Sequence, residues 1–401
     1  MKHGACLVLN AGSSSLKFSV FRHAAKTCGL QPVLTGQISG IGGKARFEAK
    51  DTDRRVLADT QWDDCNSSGR DSLLRYLLRW LDNRLVDEKI VAAGHRVVHG
   101  GRQFNRPLML SPDLIDQLET LVPLAPLHQP HNLAPIRMLA EINPNLAQVA
   151  CFDTAFHNTQ PWLARTYALP QELTAEGVCR YGFHGLSYEY VTRQLLDQRP
   201  ELAKGRIAIC HLGNGSSICA VKEGKSVDTS MGFTALDGVP MGTRPGGIDP
   251  GVLLYLMREK GMDLEAIEDL LYRRSGLLGV SGLSNDMRVL LESDVPQAQQ
   301  AVELFCFRVA KEVAALAASM EGLDALVFTA GIGENSPAIR ERIVRRLEWL
   351  GPRIDARANA VRAFDISAAD AGIPVFVVPT NEELMIAEHT LAVVPQIAGH
   401  A

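Results

Sequence analysis

Residues 9–20 read LNAGSSSLKFSV: the end of the apolar run ACLVL, an asparagine, a glycine with three serines, and at once a second apolar run. Two strand-like segments separated by so few residues predict an antiparallel pair joined by a tight turn. The composition of that turn serves two ends. Small side chains close a hairpin, and they also let backbone N–H groups and hydroxyls approach a phosphate. The stretch decides the fold because its grammar recurs. Residues 206–221, RIAICHLGNGSSICAV, are again strand, Gly/Ser-rich turn and strand, which predicts two related α/β halves. For either turn alone the plain hairpin is the better reading. Two of them, with a third glycine turn TAGIGENS at 329–336, shift the balance toward phosphate. There the strand ALVFTAG meets a helix beginning at Ser336–Pro337, and a helix N-terminus favours an anion. No GxxxxGK[ST] loop occurs, but Lys17 follows the first turn and supplies a point charge.

A chain of 401 residues exceeds one comfortable core. The expected division is 1–153 with 386–401, the last helix packing back on the first half, and 154–385 as the second domain. The chain is 46% hydrophobic and 21% charged, as soluble globular proteins are, and its net charge of -4 gives no attraction to nucleic acid. No apolar run approaches the ~18 residues of a membrane-spanning helix, and ACLVL is too short for a signal-peptide core. Eight cysteines without a CxxC pair read as buried thiols in a reducing cytoplasm.

Further along, RDSLLRYLLRWLDNRL (70–85) predicts a helix with Leu73, Leu74, Leu77, Leu78 and Leu81 on one face. AQVACFD (147–153) predicts a buried strand ending in Asp153. Helical runs follow at 249–260 and 297–320, then a strand PVFVVP (374–379) and a helix NEELMIAEHTLAVV (381–394) with Asn381 as its N-cap. The Pro-rich LVPLAPLHQPHNLAP (121–135) reads as irregular, so His128 and His131, spaced HxxH, read as loop residues and not as a metal site.

The segments NAGSSSLK, GHRVVHGG, FDTAFH, RYGFHG, HLGNGSS, MGTR, GIGEN and TNEE, in this order, resemble the acetokinase family over essentially the whole chain. RYGFHG together with NAGSSS is specific to that family; the glycine-turn layout belongs to the wider superfamily of actin-like ATPases. The resemblance implies an α/β fold of two duplicated actin-like (ribonuclease H-like) domains with the active site in the cleft between them. It implies reversible phosphoryl transfer from ATP to acetate, giving acetyl phosphate and ADP, with Mg²⁺ or Mn²⁺, in a cytoplasmic homodimer. Propionate kinase is the alternative within enzymes, and a non-metabolic actin-like ATPase the alternative outside them.

Acetate is anionic at neutral pH and needs no base, so the chemistry calls for arginines, a metal and hydrogen-bond donors. By resemblance, Arg96 and Arg244 hold the carboxylate and the transferring phosphoryl group, and His184 donates to the phosphoryl oxygens. Asp153 orients the substrate side or the metal's hydration shell. Asn10 and Glu382 hold the metal, with Glu383 as the neighbouring alternative. Ser13, Ser15 and Lys17 take phosphate. The nucleotide lies on His211, Leu212, Gly213, Asn214 and Gly215, on Asp286, Met287 and Arg288, and on Gly331, Ile332, Gly333, Glu334 and Asn335. Val98, Leu127 and Phe183 wall a methyl group, and a valine at 98 implies acetate over propionate. Ala235 stands where the family commonly has proline, which points to a wider pocket and a graded preference.

Overall fold

The computed structural model describes residues 3–12, 15–24, 29–63 and 69–394. They form two compact units, one running to Ala155 and resuming at Asn381, the other spanning Phe156–Thr380. The helix Glu382–Val393 thus belongs whole to the first unit, whereas the sequence division cut it at 386. A helix buried along one continuous face cannot be shared between two cores.

The described residues of the first unit form eight strands: β1 (His3–Ala11), β2 (Ser15–Ala24), β3 (Gly29–Ser39), β4 (Ala45–Asp51), β5 (Val56–Trp62), β6 (Glu88–Val97), β7 (Leu108–Met109) and β8 (Ala147–Phe152). They lie in one sheet, ordered β5-β4-β3-β2-β1-β6-β8-β7. β1 to β5 form an antiparallel meander, while β6 runs parallel to β1 and β8 parallel to β6. The helix Gly69–Arg84 carries the chain from β5 to β6. It buries Leu73, Leu74, Leu77 and Leu81 against Phe18, Phe47 and the β1 side chains, as the leucine spacing predicts. The strands β3 to β5 were not legible in advance, because their outer faces are polar and exposed and dilute the apolar signal.

The second unit repeats the wiring with β9 (Arg206–Leu212), β10 (Ser216–Lys222), β11 (Lys225–Thr229), β12 (Ala325–Thr329) and β13 (Val375–Val377), ordered β11-β10-β9-β12-β13. Here too a hairpin meander leads, and two parallel strands follow on the other side of its first strand. The order matches β3-β2-β1-β6-β8, which is the duplication expected from the two Gly/Ser turns. The helix Pro296–Ser319 covers one face through Phe305, Val309 and Val313; the helix Gly185–Gln198 covers the other through Tyr188, Val191 and Leu195.

Two local expectations are corrected. The Pro-rich 121–135 is not irregular: it holds the 3-10 turn Val122–Leu124 and the start of the helix Gln129–Ile142, with His131 in its first turn. Proline is tolerated there, since the first N–H groups of a helix have no intrahelical acceptor. TAGIGENS is likewise a short helix, Ala330–Asn335, and not an open turn. The Glu334 carboxylate reaches back to accept from the Ala330 N–H at 2.9 Å and holds it closed. The described cysteines are buried thiols, and no helix among the described residues is long and apolar enough to cross a membrane. Cys28 and Cys65 lie outside the described residues.

The helix Glu382–Val393 packs on β1, β6 and β8 through Met385, Ile386, Ala387 and Thr390. Close approach depends on Gly94 of β6, where a Cβ would fall 2.2 Å from Thr390 Oγ1 and 2.7 Å from Ile386 Cγ2. Gly94→Ala is therefore expected to lower stability by about 1–3 kcal/mol through overpacking. Thr390→Ala on that background should restore part of the loss in a urea titration; an unchanged midpoint for the single variant would refute the close packing.

Candidate active site

In the first unit the candidate side chains sit where strands end. Asn10 lies near the end of β1, Arg96 near the end of β6, and Asp153 just after β8, its N–H continuing the ladder to the Val97 carbonyl at 3.1 Å. Arg96 grips the buried Asp153 carboxylate through Nε (3.1 and 3.0 Å) and Nη2 (2.5 Å), and its Nη1 donates to Asn10 Oδ1 at 3.4 Å. Glu382 Oε2 lies 3.9 Å from Arg96 Nε, and Asn10 Nδ2 donates to both Glu382 (3.3 Å) and Glu383 (3.4 Å). Burial works against the Arg96 charge, but Asp153, Glu382 and Glu383 outweigh it and hold the guanidinium protonated. Glu382 and Glu383 begin their helix under an Asn381 cap that accepts from Leu384 N–H, as predicted.

Val98 is buried, its N–H bound to Asn132 Oδ1 at 2.9 Å, while Asn132 Nδ2 donates to the Ala11 carbonyl. Gln129 pins the next residue, accepting from the His99 N–H and donating to its carbonyl. Asn132 and Gln129 were not singled out from the sequence, yet they fix the loop that carries Val98. Leu127, half-buried, precedes the same helix.

The first Gly/Ser turn is a hairpin by geometry: Asn10 pairs with Lys17, and the Gly12 N–H donates to the Ser15 carbonyl at 2.8 Å. Lys17 is exposed and lines a recess of about 290 Å³ with Glu48, Lys50 and Glu383. Ser13 lies outside the described residues.

In the second unit, His184 caps the helix Gly185–Gln198 in the left-handed region (φ 59°, ψ 24°), a conformation typical of constrained functional positions. Its Nδ1 meets Ser217 Oγ at 2.8 Å, and its ring stacks on His211. Phe183, buried, precedes it, and its carbonyl accepts from His157 Nε2 at 2.9 Å. Arg244 donates to the Ala235 carbonyl at 2.7 Å and, among the described residues, has no carboxylate partner; burial pushes its pKa down to about 10, so it remains a cation. A Cβ at Gly215 would lie 2.8 Å from Arg244 Nη2 and 3.4 Å from His184 Nε2, so guanidinium and imidazole converge on the glycine turn. The Ala235 carbonyl is a backbone group, so the departure from proline leaves this contact in place.

Beside that turn is a cavity of about 740 Å³ lined by Gly213, Asn214, Asp286, Met287, Arg288, Gly331, Ile332 and Asn335 among others. The remaining residues expected there do other work. Leu212 is fully buried in the core, and Glu334 accepts from the Ala330 and Thr380 N–H groups. His211, Gly215 and Gly333 do not line the cavity either: the His211 ring stacks on His184, Gly215 lies beneath Arg244 and His184, and Gly333 packs against Phe328. Asp286 and Arg288 bind each other, Nη2 to Oδ2 at 2.6 Å, with Asp286 also capping the following helix.

A duplicated α/β fold with a nucleotide-sized cavity at a glycine turn, and a guanidinium and an imidazole beside that turn, defines a phosphotransferase of the actin-like ATPase class. The acetokinase family profile matches residues 5–388, and the chain belongs to that family. It is 52% identical over 386 residues to the acetate kinase of Nitrobacter hamburgensis, covering 96% of this chain and 95% of that one. It is 42% identical to the acetate kinase of Rickettsia prowazekii, over 96% and 98%. A solved propionate kinase from Francisella tularensis matches with a TM-score of 0.90 at 40% identity, covering 98% of this chain and all of that one. The acetate kinase of Porphyromonas gingivalis matches at 0.86 and 36%, with the same coverage.

His157, unassigned from the sequence, is fully buried: Nε2 donates to the Phe183 carbonyl and Nδ1 faces Ser226 Oγ at 2.9 Å. Burial depresses its pKa from 6.5 to about 4. The unfolded chain therefore binds a proton that the native state refuses, and the stability this residue supplies above pH 6.5 is lost as pH falls toward 4. Its share at pH 5 is about 2 kcal/mol. His157→Gln should flatten the decline in urea midpoint between pH 7 and pH 5; an equally steep decline would exclude His157 as its source.

Proposed function

We propose that this protein is an acetate kinase, transferring the γ-phosphoryl group of ATP reversibly to acetate with Mg²⁺. The observation that carries the reading is the buried Arg244, without a carboxylate partner among the described residues, converging with His184 on the turn whose Gly213 and Asn214 line the nucleotide-sized cavity. A desolvated guanidinium and an imidazole suit the spread negative charge of a phosphoryl group in flight.

In this reading an acetate oxygen attacks the γ-phosphorus in line, the P–O bond to ADP breaks, and no general base is required because the acceptor is already ionised. Arg96 receives the carboxylate with the N–H groups that Asp153 leaves available, and Asp153 positions the guanidinium; neither carboxyl group has to move a proton. Val98, Leu127 and Phe183 are assigned to the methyl group. Asn10 and Glu382, with Glu383 adjacent, suit a magnesium ion. They offer oxygen donors, and the carboxylates around Arg96 exceed its charge. Two carboxylates at most fit an ion that keeps several waters and takes phosphate oxygens, and its contribution when bound is to neutralise phosphate charge. Lys17 and Ser15 are assigned to phosphate, and the residues lining the 740 Å³ cavity to the nucleotide.

The solved propionate kinase that matches this chain supports a second reading, propionate as the preferred acceptor. A hydroxamate assay across formate, acetate, propionate and butyrate with ATP and Mg²⁺ decides. The expected order is acetate, then propionate, separated by the roughly 1–3 kcal/mol that one methylene is worth. A higher kcat/KM for propionate would reverse the assignment, and ATP turnover independent of carboxylate would end it.

We also assign the protein to the cytoplasm, in keeping with its buried thiols, and to a homodimer. The helix Pro250–Glu259 has no buried residue and exposes Val252, Leu254, Tyr255 and Met257. Light scattering should return twice the chain mass.

The two arginines should behave differently on removal. Arg244→Ala is expected to lose about 10²-fold or more in kcat with little change in melting temperature, since no ion pair is broken. Arg96→Ala should lose activity and also about 3–5 kcal/mol of stability, because Asp153 forfeits its buried ion pair. Near-normal turnover in either variant removes that arginine from the mechanism.

A further inference from the structure

His184 and His211 stack with ring centroids 4.1 Å apart and planes 15° from parallel. The Nδ1 of each faces a serine hydroxyl at 2.8 Å, Ser217 for His184 and Ser187 for His211. Each serine is bonded in turn to a second hydroxyl, Ser217 to Tyr188 at 2.5 Å and Ser187 to Thr380 at 2.8 Å. The two imidazoles therefore stand at the ends of two parallel hydroxyl relays.

Counting protons fixes the direction of the first relay. Tyr188 is fully buried, and burial raises its pKa well above the ordinary value, so the phenol keeps its proton. Among the described residues the hydroxyl has one hydrogen-bond partner, Ser217 Oγ. If the relay ran outward, from Nδ1–H to Ser217 and from Ser217 to Tyr188, the phenolic proton would be left without an acceptor in a dry site. If Tyr188 and Nδ1–H both donated to Ser217, the Ser217 proton would in turn have no acceptor among the described residues. Run inward, Tyr188 donates to Ser217 and Ser217 donates to Nδ1, and every hydroxyl proton is used. Nδ1 is then an acceptor, and the ring proton resides on Nε2. In the second relay Thr380 Oγ1 donates to Ser187 Oγ, which leaves the Ser187 proton for His211 Nδ1.

We infer that Tyr188 with Ser217, and Thr380 with Ser187, are positioning residues that lock the two stacked histidines as neutral Nε2–H tautomers. An imidazolium carries a proton on both nitrogens, so charging either ring would force its relay to reverse. Charging both would also set two cations at stacking distance. For His184 the consequence is a fixed N–H donor beside Gly215, next to the Arg244 guanidinium. The catalytic meaning rests on the reading of His184 as a donor to the transferring phosphoryl group; the tautomer assignment does not.

The test is two-bond ¹H–¹⁵N spectroscopy of histidine-labelled protein near neutral pH, with signals assigned through His184→Gln and His211→Gln. Both rings are expected as Nε2–H. A ring found as Nδ1–H or doubly protonated overturns the inference for its relay. Tyr188→Phe keeps the buried ring and removes the phenolic proton. It should introduce an Nδ1–H population at His184, leave His211 unchanged, and lower kcat about fivefold with the KM for ATP unaltered. That is well short of the ~10²-fold loss expected when a donor is removed outright. Thr380→Val, at a half-buried position, should move the tautomer of His211 instead, and it tests the second relay even if Tyr188→Phe fails to fold. A pure Nε2–H His184 in Tyr188→Phe would overturn the role of Tyr188. A shifted tautomer with unchanged kcat would leave the relay standing and remove His184 as the phosphoryl donor.

Discussion

Parallel pairing at the centre of each sheet is the constraint from which the candidate site follows. In the first unit β1, β6 and β8 run the same way, with one register shift at Ala5–Cys6, so their C-terminal ends lie side by side at one edge. Backbone hydrogen bonding alone then brings Asn10, Arg96 and Asp153 together, although long stretches of chain separate them. The helix Glu382–Val393 docks on the same three strands and adds its two glutamates to that edge. The second unit applies the same constraint to β9, β12 and β13, whose ends lead into the glycine turn, the helix Ala330–Asn335 and Thr380. Ligand chemistry at the carboxyl ends of parallel strands is a general property of open α/β sheets.

The two arginines show how one residue type is put to different uses by its surroundings. Arg96 is surrounded by carboxylates that secure its charge and orient its plane, so it is a positioned group within a net acidic cluster. Arg244 is desolvated, bound to a carbonyl, and without an acidic partner among the described residues. Such a cation is costly to bury unless an anion arrives, which is the property wanted next to a phosphoryl group. Gly215 matters for the same reason: any side chain there would occupy the space into which Arg244 and His184 project.

Much of this was legible in the residues themselves. The recurrence of LNAGSSSLKFSV in HLGNGSSICAV announced the duplication, which strand order confirms. The leucine spacing of 70–85 and the Asn381 cap were readable because helix period and capping are local. The strands β3 to β5 were not, since a half-exposed meander carries a weak apolar pattern. The helical start of Gln129–Ile142 was hidden by Pro130, which a helix tolerates in its first turn, and by Pro135, which lies inside the helix where proline usually breaks one. Among the nucleotide residues, sequence proximity placed Leu212 and Glu334 beside Gly213 and Ile332; strand alternation and helix facing then turned them away.

The sequence by itself determined the α/β class, the repeat, the family and the residue types available for phosphate chemistry, because these rest on local periodicity and short motifs. Only the tertiary structure decided that Asp153 binds Arg96 and that Asp286 neutralises Arg288. It alone revealed His157, Asn132 and the hydroxyl relays behind His184 and His211. Those choices depend on which groups are desolvated together and which proton has somewhere to go. Both are properties of three-dimensional packing, and neither is encoded in any single stretch of chain.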